Sequence, residues 1–406
     1  MQINTRLKLI SILPIVLLFA ISNYLLYISY SKYYKANELK DIVKNNQNLN
    51  LVLKEIGKER GLSVAYLATK DSVIGRRLKQ QRLITNMQIE KAKASMSLID
   101  NHSLFSGLSK SKLSYDNEKI FFLLNQLNSI RAEVDSLKVS FGNLFYKKYT
   151  QNLTMPILNY ELLINQYKFD TSVSSIINPL SSLYISIENS ALERDFISYF
   201  LLKKIPLSNK EIAYWNKIKV KANSFNLNTI NDDILRDRLL VLLSGRSYRN
   251  IDMAIENLYS KIELNFNSGK FRVDPSRWFV LHNQKIDYLL KVENIIESGL
   301  ISKIDDFIFQ NIIILAIAGF FWILSLILIF LGHKTARDIS NNIKSLEDIL
   351  NRTVQEIDSD STFDAPNINE IKSINLNTTQ GIKEAYKFLE ILIENARQDK
   401  IQALEA

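Results

Sequence analysis

Two uncharged apolar runs, set on either side of a long polar middle, constrain this chain more than any other feature. No side chain from Leu9 to Tyr30 carries a charge, and none does from Ile312 to Leu331. A helix needs about 20 residues to cross the hydrocarbon core of a bilayer, so each run is long enough to span once. Tyr24, Tyr27 and Tyr30 gather at the far end of the first run, where amphipathic rings favour the membrane interface. The first run is too long for a cleaved signal peptide, and no small-residue cleavage pattern follows it. The chain therefore divides into a cytoplasmic N-terminus (1–8), a first transmembrane helix (9–30), a domain outside the cytoplasm (31–306), a second transmembrane helix (307–331), a cytoplasmic relay (332–390) and a trailing helix (391–406). Orientation follows the short flanks. Arg6 and Lys8 precede the first run, His333, Lys334 and Arg337 follow the second, and Asp305 and Asp306 precede it. Positive flanks stay inside, which places both termini in the cytoplasm of a bacterial inner membrane and residues 31–306 in the periplasm.

The middle reads as helix throughout. Only 11 Gly and 6 Pro occur in 406 residues, too few for the turns of a β-rich fold. Hydrophobic periodicity predicts helices over about 34–70, 73–100, 112–140, 143–168, 171–204, 208–224, 229–264 and 275–305. The breaks carry local signals: Asp71-Ser72, Pro206-Leu207-Ser208-Asn209, Asn267-Ser268-Gly269, and Asp274-Pro275 with proline in the first helical turn. Eight helices with short links predict an all-α domain of two antiparallel four-helix bundles.

Composition also excludes several functions. Without Cys there is neither a disulfide framework nor a thiolate metal site. The net charge is +9, but Lys and Arg are interspersed with acidic residues and form no compact basic run with aromatics, so no nucleic-acid partner is expected. His102, His282 and His333 lie far apart, outside any metal-ligand or nucleophile motif, and read as surface or interface residues. No Gly-rich phosphate loop occurs. The chain is expected to hold no metal or cofactor and to catalyse nothing.

Two arginines stand where apolar residues belong. Leu49, Val52, Leu53, Ile56, Val64 and Leu67 form one helical stripe, and Arg60 falls on it between Gly57 and Gly61. Ile187, Ala191, Ile197 and Leu201 form another, and Arg194 falls on that one. Each arginine follows a glutamate, as Glu59-Arg60 and Glu193-Arg194. A guanidinium does not lose its proton, so burial demands an anionic partner. That partner is either a carboxylate of a neighbouring helix or a soluble oxyanion held between the two arginines.

The segment Gly57-Lys-Glu-Arg-Gly-Leu-Ser-Val-Ala-Tyr-Leu-Ala68 resembles the opening motif of the nitrate- and nitrite-sensing (NIT) domain family. The resemblance continues, in order, through Leu78-Lys-Gln-Gln-Arg-Leu-Ile-Thr85, Leu127-Asn-Ser-Ile-Arg-Ala-Glu-Val-Asp135, Glu188-Asn-Ser-Ala-Leu-Glu-Arg-Asp-Phe196, and Trp278 with Ile286-Asp-Tyr-Leu-Leu-Lys-Val-Glu293. It implies the same double four-helix bundle, with arginines at the bundle interface binding nitrate or nitrite. Arg60 and Arg194 are the carry-overs that sit in matching motifs; Arg82 and Arg246, the latter in Ser244-Gly-Arg-Ser247, are further candidates. Two positions depart from the family. Asn86 stands where Asp is usual after Thr85, and Asp195 follows Arg194 where a small residue is common; a carboxylate there would disfavour an anion.

Residues 332–390 resemble a degenerate HAMP domain, the signal-relay module of bacterial receptors. Ile339, Ile343, Leu346 and Leu350 make one seam, and Ile371, Ile374, Ile382, Ala385, Leu389 and Leu392 a second. A polar connector over about 358–367 separates them, Asn369-Glu-Ile371 resembles the family's Asp-Glu-Ile element, and Ser345 stands at its usual proline. Asn395 to Glu405 resembles the helix leading into the dimerisation domain of sensor histidine kinases, and no output domain follows within these 406 residues. The combined expectation is a homodimeric transmembrane receptor for nitrate, nitrite or another small anion that signals through a cytoplasmic partner. The alternatives are a sensor of a different small molecule and a non-catalytic membrane scaffold.

Overall fold

The computed structural model describes residues 3–101, 112–167, 169, 171–359 and 378–405. Every regular element among them is helical: α1 (Ile3–Thr69), α2 (Ser72–Asn101), α3 (Lys112–Asn125), α4 (Leu127–Asp135), a π-helix (Asn143–Thr154), α5 (Met155–Glu161), a 3₁₀ turn (Leu162–Gln166), α6 (Thr171–Lys203), α7 (Asn209–Ala222), a 3₁₀ turn (Leu227–Thr229), α8 (Asp233–Leu243), α9 (Arg246–Glu263), α10 (Pro275–Ser359) and α11 (Thr379–Glu405). They fall into two compact units. One is Tyr34–Phe309; the other joins Met1–Tyr33 to Gln310–Ala406.

Within Tyr34–Phe309 the apolar stripes make two four-helix bundles. The first buries Leu49, Val52 and Ile56 of α1 against Leu78, Ile89 and Met96 of α2, Ile120 of α3, Ile130 of α4, and Leu144 and Tyr149 of the π-helix. The second buries Leu192, Phe196 and Phe200 of α6 against Trp215 of α7, Ile255 and Tyr259 of α9, and Trp278 of α10. A third cluster sets Leu39 and Val43 of α1 against Leu180 and Leu183 of α6, Leu235 of α8 and Ile296 of α10. Helix α1 serves both bundles, since its Val64 is buried in the second. Each fully buried aliphatic or aromatic side chain here contributes about 1.5–3 kcal/mol.

The expected breaks are capped as their chemistry requires. Asp71 Oδ1 accepts from the Val73 N–H at 2.6 Å. Ser208 and Glu211 form a reciprocal capping box at the start of α7. Pro275 opens α10, and Asp274 Oδ1 accepts from the Ser276 N–H at 3.0 Å. Three expected helices differ. The segment 112–140 is interrupted at Gln126 and ends at Asp135. The segment 143–168 starts as twelve residues of π-helix and ends in a 3₁₀ turn; apolar spacing cannot distinguish these from α-helix, because each still turns one face inward. The segment 229–264 breaks at Ser244 and Gly245, since Gly245 caps α9 with ψ at 143°.

In the other unit, Phe19 and Trp322 stack with ring centroids 5.9 Å apart. Only 11% of the most apolar window of α1, and 11% of that of α10, is buried, and both helices are long and apolar enough to cross a membrane. Two of their serine hydroxyls bond within their own helix: that of Ser22 to the Leu18 carbonyl at 2.8 Å, and that of Ser325 to the Trp322 carbonyl at 2.7 Å. Such pairing is what lipid demands. Ala385 and Phe388 of α11 pack with Ile343 and Leu346 of α10, joined by Ile382 and Leu389. The expected connector beyond Ser359, with Ile371 and Ile374, lies outside the described residues, as does His102.

One polar cluster is embedded in this fold. Glu161 ends α5, Glu293 and Glu297 lie one turn apart on α10, and the Tyr184 hydroxyl of α6 donates to Glu297 Oε1 at 2.8 Å. All three carboxyl groups are buried, and neither Glu161 carboxyl oxygen has a hydrogen-bond partner among the described residues. Burial, with the neighbouring carboxylates adding to it, pushes Glu161 and Glu293 well above their usual 4.5. Burial also pushes Glu297 up to about 7, against hydrogen bonds that hold it down. A raised folded-state value makes the protonated form part of the native state. Its stabilisation is complete below the unfolded value of 4.5 and is lost as pH rises through about 7. The unfolding temperature of the intact protein is therefore expected to fall between about pH 5 and pH 8, and Glu297→Gln should flatten that slope. An equally steep slope in the variant would place the titrating group elsewhere.

Candidate functional site

The two out-of-place arginines meet. Arg60 comes from α1 and Arg194 from α6, and both are buried. Close helix approach makes this geometry: a Cβ on Gly57 would stand 3.5 Å from Ala191 Cβ, 3.6 Å from Arg194 Nη2 and 3.8 Å from Arg60 Nη2. At Gly61 a Cβ would fall 2.5 Å from Asp195 Oδ1 and 2.8 Å from Phe279. Glycine at Gly61 is thus the condition for setting α1 against α6 and α10, and it outweighs the roughly 1 kcal/mol that a helical glycine costs relative to alanine, whereas a Cβ at Gly57 would make only ordinary contacts.

Asp195 lies between the guanidinium groups. Arg60 Nε donates to its Oδ2 at 2.7 Å, and Arg194 Nε to its Oδ1 at 2.8 Å. Arg60 Nη1 also donates to Glu188 Oε1 at 2.8 Å and to Thr154 at 3.4 Å. Arg194 Nη1 donates to Asn283 Oδ1 at 2.6 Å and Nη2 to the Gly57 carbonyl at 2.8 Å. The ring of Phe279 covers the Arg194 guanidinium at 4.7 Å. Burial works against the Arg60 charge, but Glu188 and Asp195 more than offset it and hold the group protonated above its ordinary range. Arg60 Nη2 is buried and has no acceptor among the described residues.

A small cleft of about 20 Å³ opens beside this cluster, lined from α1 by Asn50, Lys54 and Lys58, from α6 by Tyr184, Glu188 and Arg194, and from α10 by Asn283 and Asp287. Lys54 Nζ pairs with Asp287 at 3.0 Å. Asn50 Nδ2 is a second buried donor with no acceptor among the described residues. Lys58 Nζ pairs with Glu55 at 2.9 Å, so the wall presents two paired lysines, one arginine and two amides together with the carboxylates of Glu188 and Asp287.

The glutamates that precede the arginines point the other way, one into each bundle. Glu59 takes a bidentate pair from Arg131, at 2.7 and 2.8 Å, while Arg131 Nη1 donates to Asn86 Oδ1 at 2.7 Å. Glu193 accepts from Trp215 Nε1 at 2.8 Å and from the Tyr259 hydroxyl at 3.0 Å, with His282 Nε2 3.8 Å away. Burial pushes the Glu193 carboxyl up, but His282, Lys285 and Trp215 together hold it below its usual range. His282 is thus a core residue rather than a surface one, stacked on Trp278 at 3.8 Å. His333 is exposed as expected.

The other two candidates separate. Arg82 Nη1 pairs with Asp135 at 2.9 Å and its Nε lies 3.9 Å from Glu59, which makes it part of the first bundle's ion network. Arg246 is exposed at the first turn of α9 and shares no recorded partner with Arg60 or Arg194. At this break between α8 and α9 its side chain faces solvent, and the structure does not bring it to the cluster. Among the described residues no group of three or more His, Asp or Glu side chains is placed to hold a metal ion.

Residues 51–301, well over half of the chain, match the family model for nitrate and nitrite sensing, NIT. The chain belongs to the NIT family. The matched NIT span contains Arg60, Arg82, Arg194, Arg246 and every cleft residue except Asn50. A solved structure, that of the NasR transcription antiterminator, has a similar fold: TM-score 0.55 at 13% identity, covering 94% of this chain and 99% of that one. At that identity the likeness concerns the fold alone. No curated protein matches the chain.

Sequence reasoning missed Glu188, Asn283 and the lysines of the cleft. Glu188 sits six residues before Arg194 with nothing in its spacing to pair it with Arg60. The Glu59–Arg131 pair is open to test. Arg131→Ala should strand a buried carboxylate and lower the unfolding free energy in urea by about 3–5 kcal/mol. A loss under about 1 kcal/mol would mean that water replaces the guanidinium.

Proposed function

We propose that this protein is a membrane receptor whose NIT domain binds a small oxyanion, nitrate or nitrite, outside the cytoplasm and passes the event to a cytoplasmic partner. The observation that carries this reading is the convergence of Arg60 and Arg194, from different helices, beside a cleft with Lys54, Lys58, Asn50 and Asn283 on its walls. A guanidinium with an unspent N–H group, Arg60 Nη2, beside the unspent amide of Asn50 suits a planar monoanion. Arg60, Arg194, Asn283 and the two lysines are read as the binding residues, and Arg82 as structural; Arg246 does not enter.

A ligand shifts an equilibrium only through unequal affinity for two states. Here an anion would add contacts to α1 and α10 together, because both line the cleft. The same two helices contain the apolar spans. Drawing them together offers a small sliding or rotation as the transmitted signal. The Ile343, Leu346, Ala385 and Phe388 cluster supports a HAMP-like relay between α10 and α11, and the relay is read as working in a homodimer. The basic flanks support cytoplasmic termini. The reading assigns no catalysis to the chain.

The prior pairing of both arginines with carboxylates supports a second reading, a ligand-free membrane scaffold in which the cluster only holds α1 to α6. Calorimetry on the full chain in detergent separates them. Saturable binding of nitrate or nitrite, weaker for chloride and sulfate and lost in Arg194→Ala, supports the receptor; no saturable heat with either nitrogen oxyanion removes it. Topology is tested separately, since the chain has no cysteine of its own. A membrane-impermeant maleimide should label Lys32→Cys in cells with a permeabilised outer membrane and leave Arg337→Cys unlabelled; the opposite pattern inverts the topology.

A further inference from the structure

The place where an oxyanion would bridge the two arginines already holds one. Asp195 is wholly buried and offers its two oxygens to two different guanidinium groups, Oδ2 to Arg60 Nε and Oδ1 to Arg194 Nε. A carboxylate and nitrate share the planar two-oxygen edge that guanidinium N–H groups recognise. Charge gives the same account. With Glu188 paired to Arg60, two cations face two carboxylates and the buried cluster is neutral. An added monoanion would leave it one negative charge in excess, in a setting of low dielectric where such an excess is costly.

We propose that Asp195 is an intramolecular competitor of the anion: an affinity-setting residue that occupies the bridging position and must be released from at least one arginine before nitrate or nitrite engages both. The inference rests on the anion-site reading above. Two further observations support it. Arg60 Nη2 is buried with no acceptor among the described residues, and it lies within 4 Å of the same point beside Gly57 as Arg194 Nη2, which donates to the Gly57 carbonyl, so one unspent donor stays next to the internal carboxylate. Asp195 is also wedged against α1, because any side chain at Gly61 would meet its Oδ1 at 2.5 Å. Because Asp195 packs against α1 from its place on α6, its exchange for an external anion would alter the contact between these two helices. Exchange of the internal anion for the external one is then the step that moves a helix. A tethered competitor lowers apparent affinity by the fraction of time that it holds the site.

The test uses the full-length protein in detergent: wild type, Asp195→Asn and Asp195→Ser, each titrated with nitrate calorimetrically and melted with and without nitrate or formate. Asparagine keeps the shape and removes the charge; serine removes both. Both variants should melt lower than wild type in anion-free buffer, recover with nitrate or formate, and bind nitrate at least about tenfold more tightly. A residue with only a packing role would lower the melting temperature without anion-dependent recovery. If wild type binds nitrate and neither variant binds it more tightly, the competitor role is overturned while the receptor reading stands. If the variants bind and wild type does not, the competitor role holds and the receptor reading of the native chain fails. Variants that bind no anion, or stay unstable in nitrate and formate alike, overturn the inference.

Discussion

The Arg60–Asp195–Arg194 bridge is the interaction on which the rest of this molecule depends. It joins α1 to α6, the helices that begin the two bundles, through three side chains that are almost wholly buried. Removing charged groups from water costs several kcal/mol each, and only well-formed pairing offsets that. The bridge therefore fixes register. It holds only where Gly61 lets α1 approach Asp195 and Phe279. Packing density, glycine placement and ion pairing at this junction form one constraint.

The repeated Glu-Arg dipeptide gives the two bundles a common plan. In each copy the glutamate turns into its own bundle, Glu59 to Arg131 and Glu193 to Trp215 and Tyr259. The arginine turns outward to the shared junction. Adjacent residues on a helix point about 100° apart, so a dipeptide can serve two environments at once. Any change at the junction is thus one residue away from the core of each bundle. A site built this way reports to two hydrophobic cores and, through α1 and α10, to the helices that hold the apolar spans.

The NIT family match and the helical architecture agree with a sensing role, and the electrostatics qualify it. A site lined by cations and amides attracts an anion, but this one is already neutralised from within. Binding strength then depends on how readily the internal carboxylate yields. Nearby, a group of carboxyl groups that favour their protonated form sits between α5, α6 and α10, close in the fold to the helices that would move. The domain carries its polar groups where its helices meet, which is where small shifts change packing most.

Much of this was legible in the sequence. Long uncharged runs, scarce glycine and proline, and 3.6-residue periodicity are local properties, and local properties survive without knowledge of neighbours. They determined an all-helical chain with two candidate spans, the capped ends of α2, α7 and α10, and the anomaly of Arg60 and Arg194 on apolar stripes. Tertiary structure alone decided what those arginines meet. Glu188, Asn283 and the cleft lysines come from separate helices, and their meeting depends on helix crossing and rotation, which periodicity does not encode. The π-helical stretch from Asn143 escaped for a related reason, since its face is as apolar as that of an α-helix. Sequence determined that two cations would be buried; only packing decided that one aspartate would stand between them.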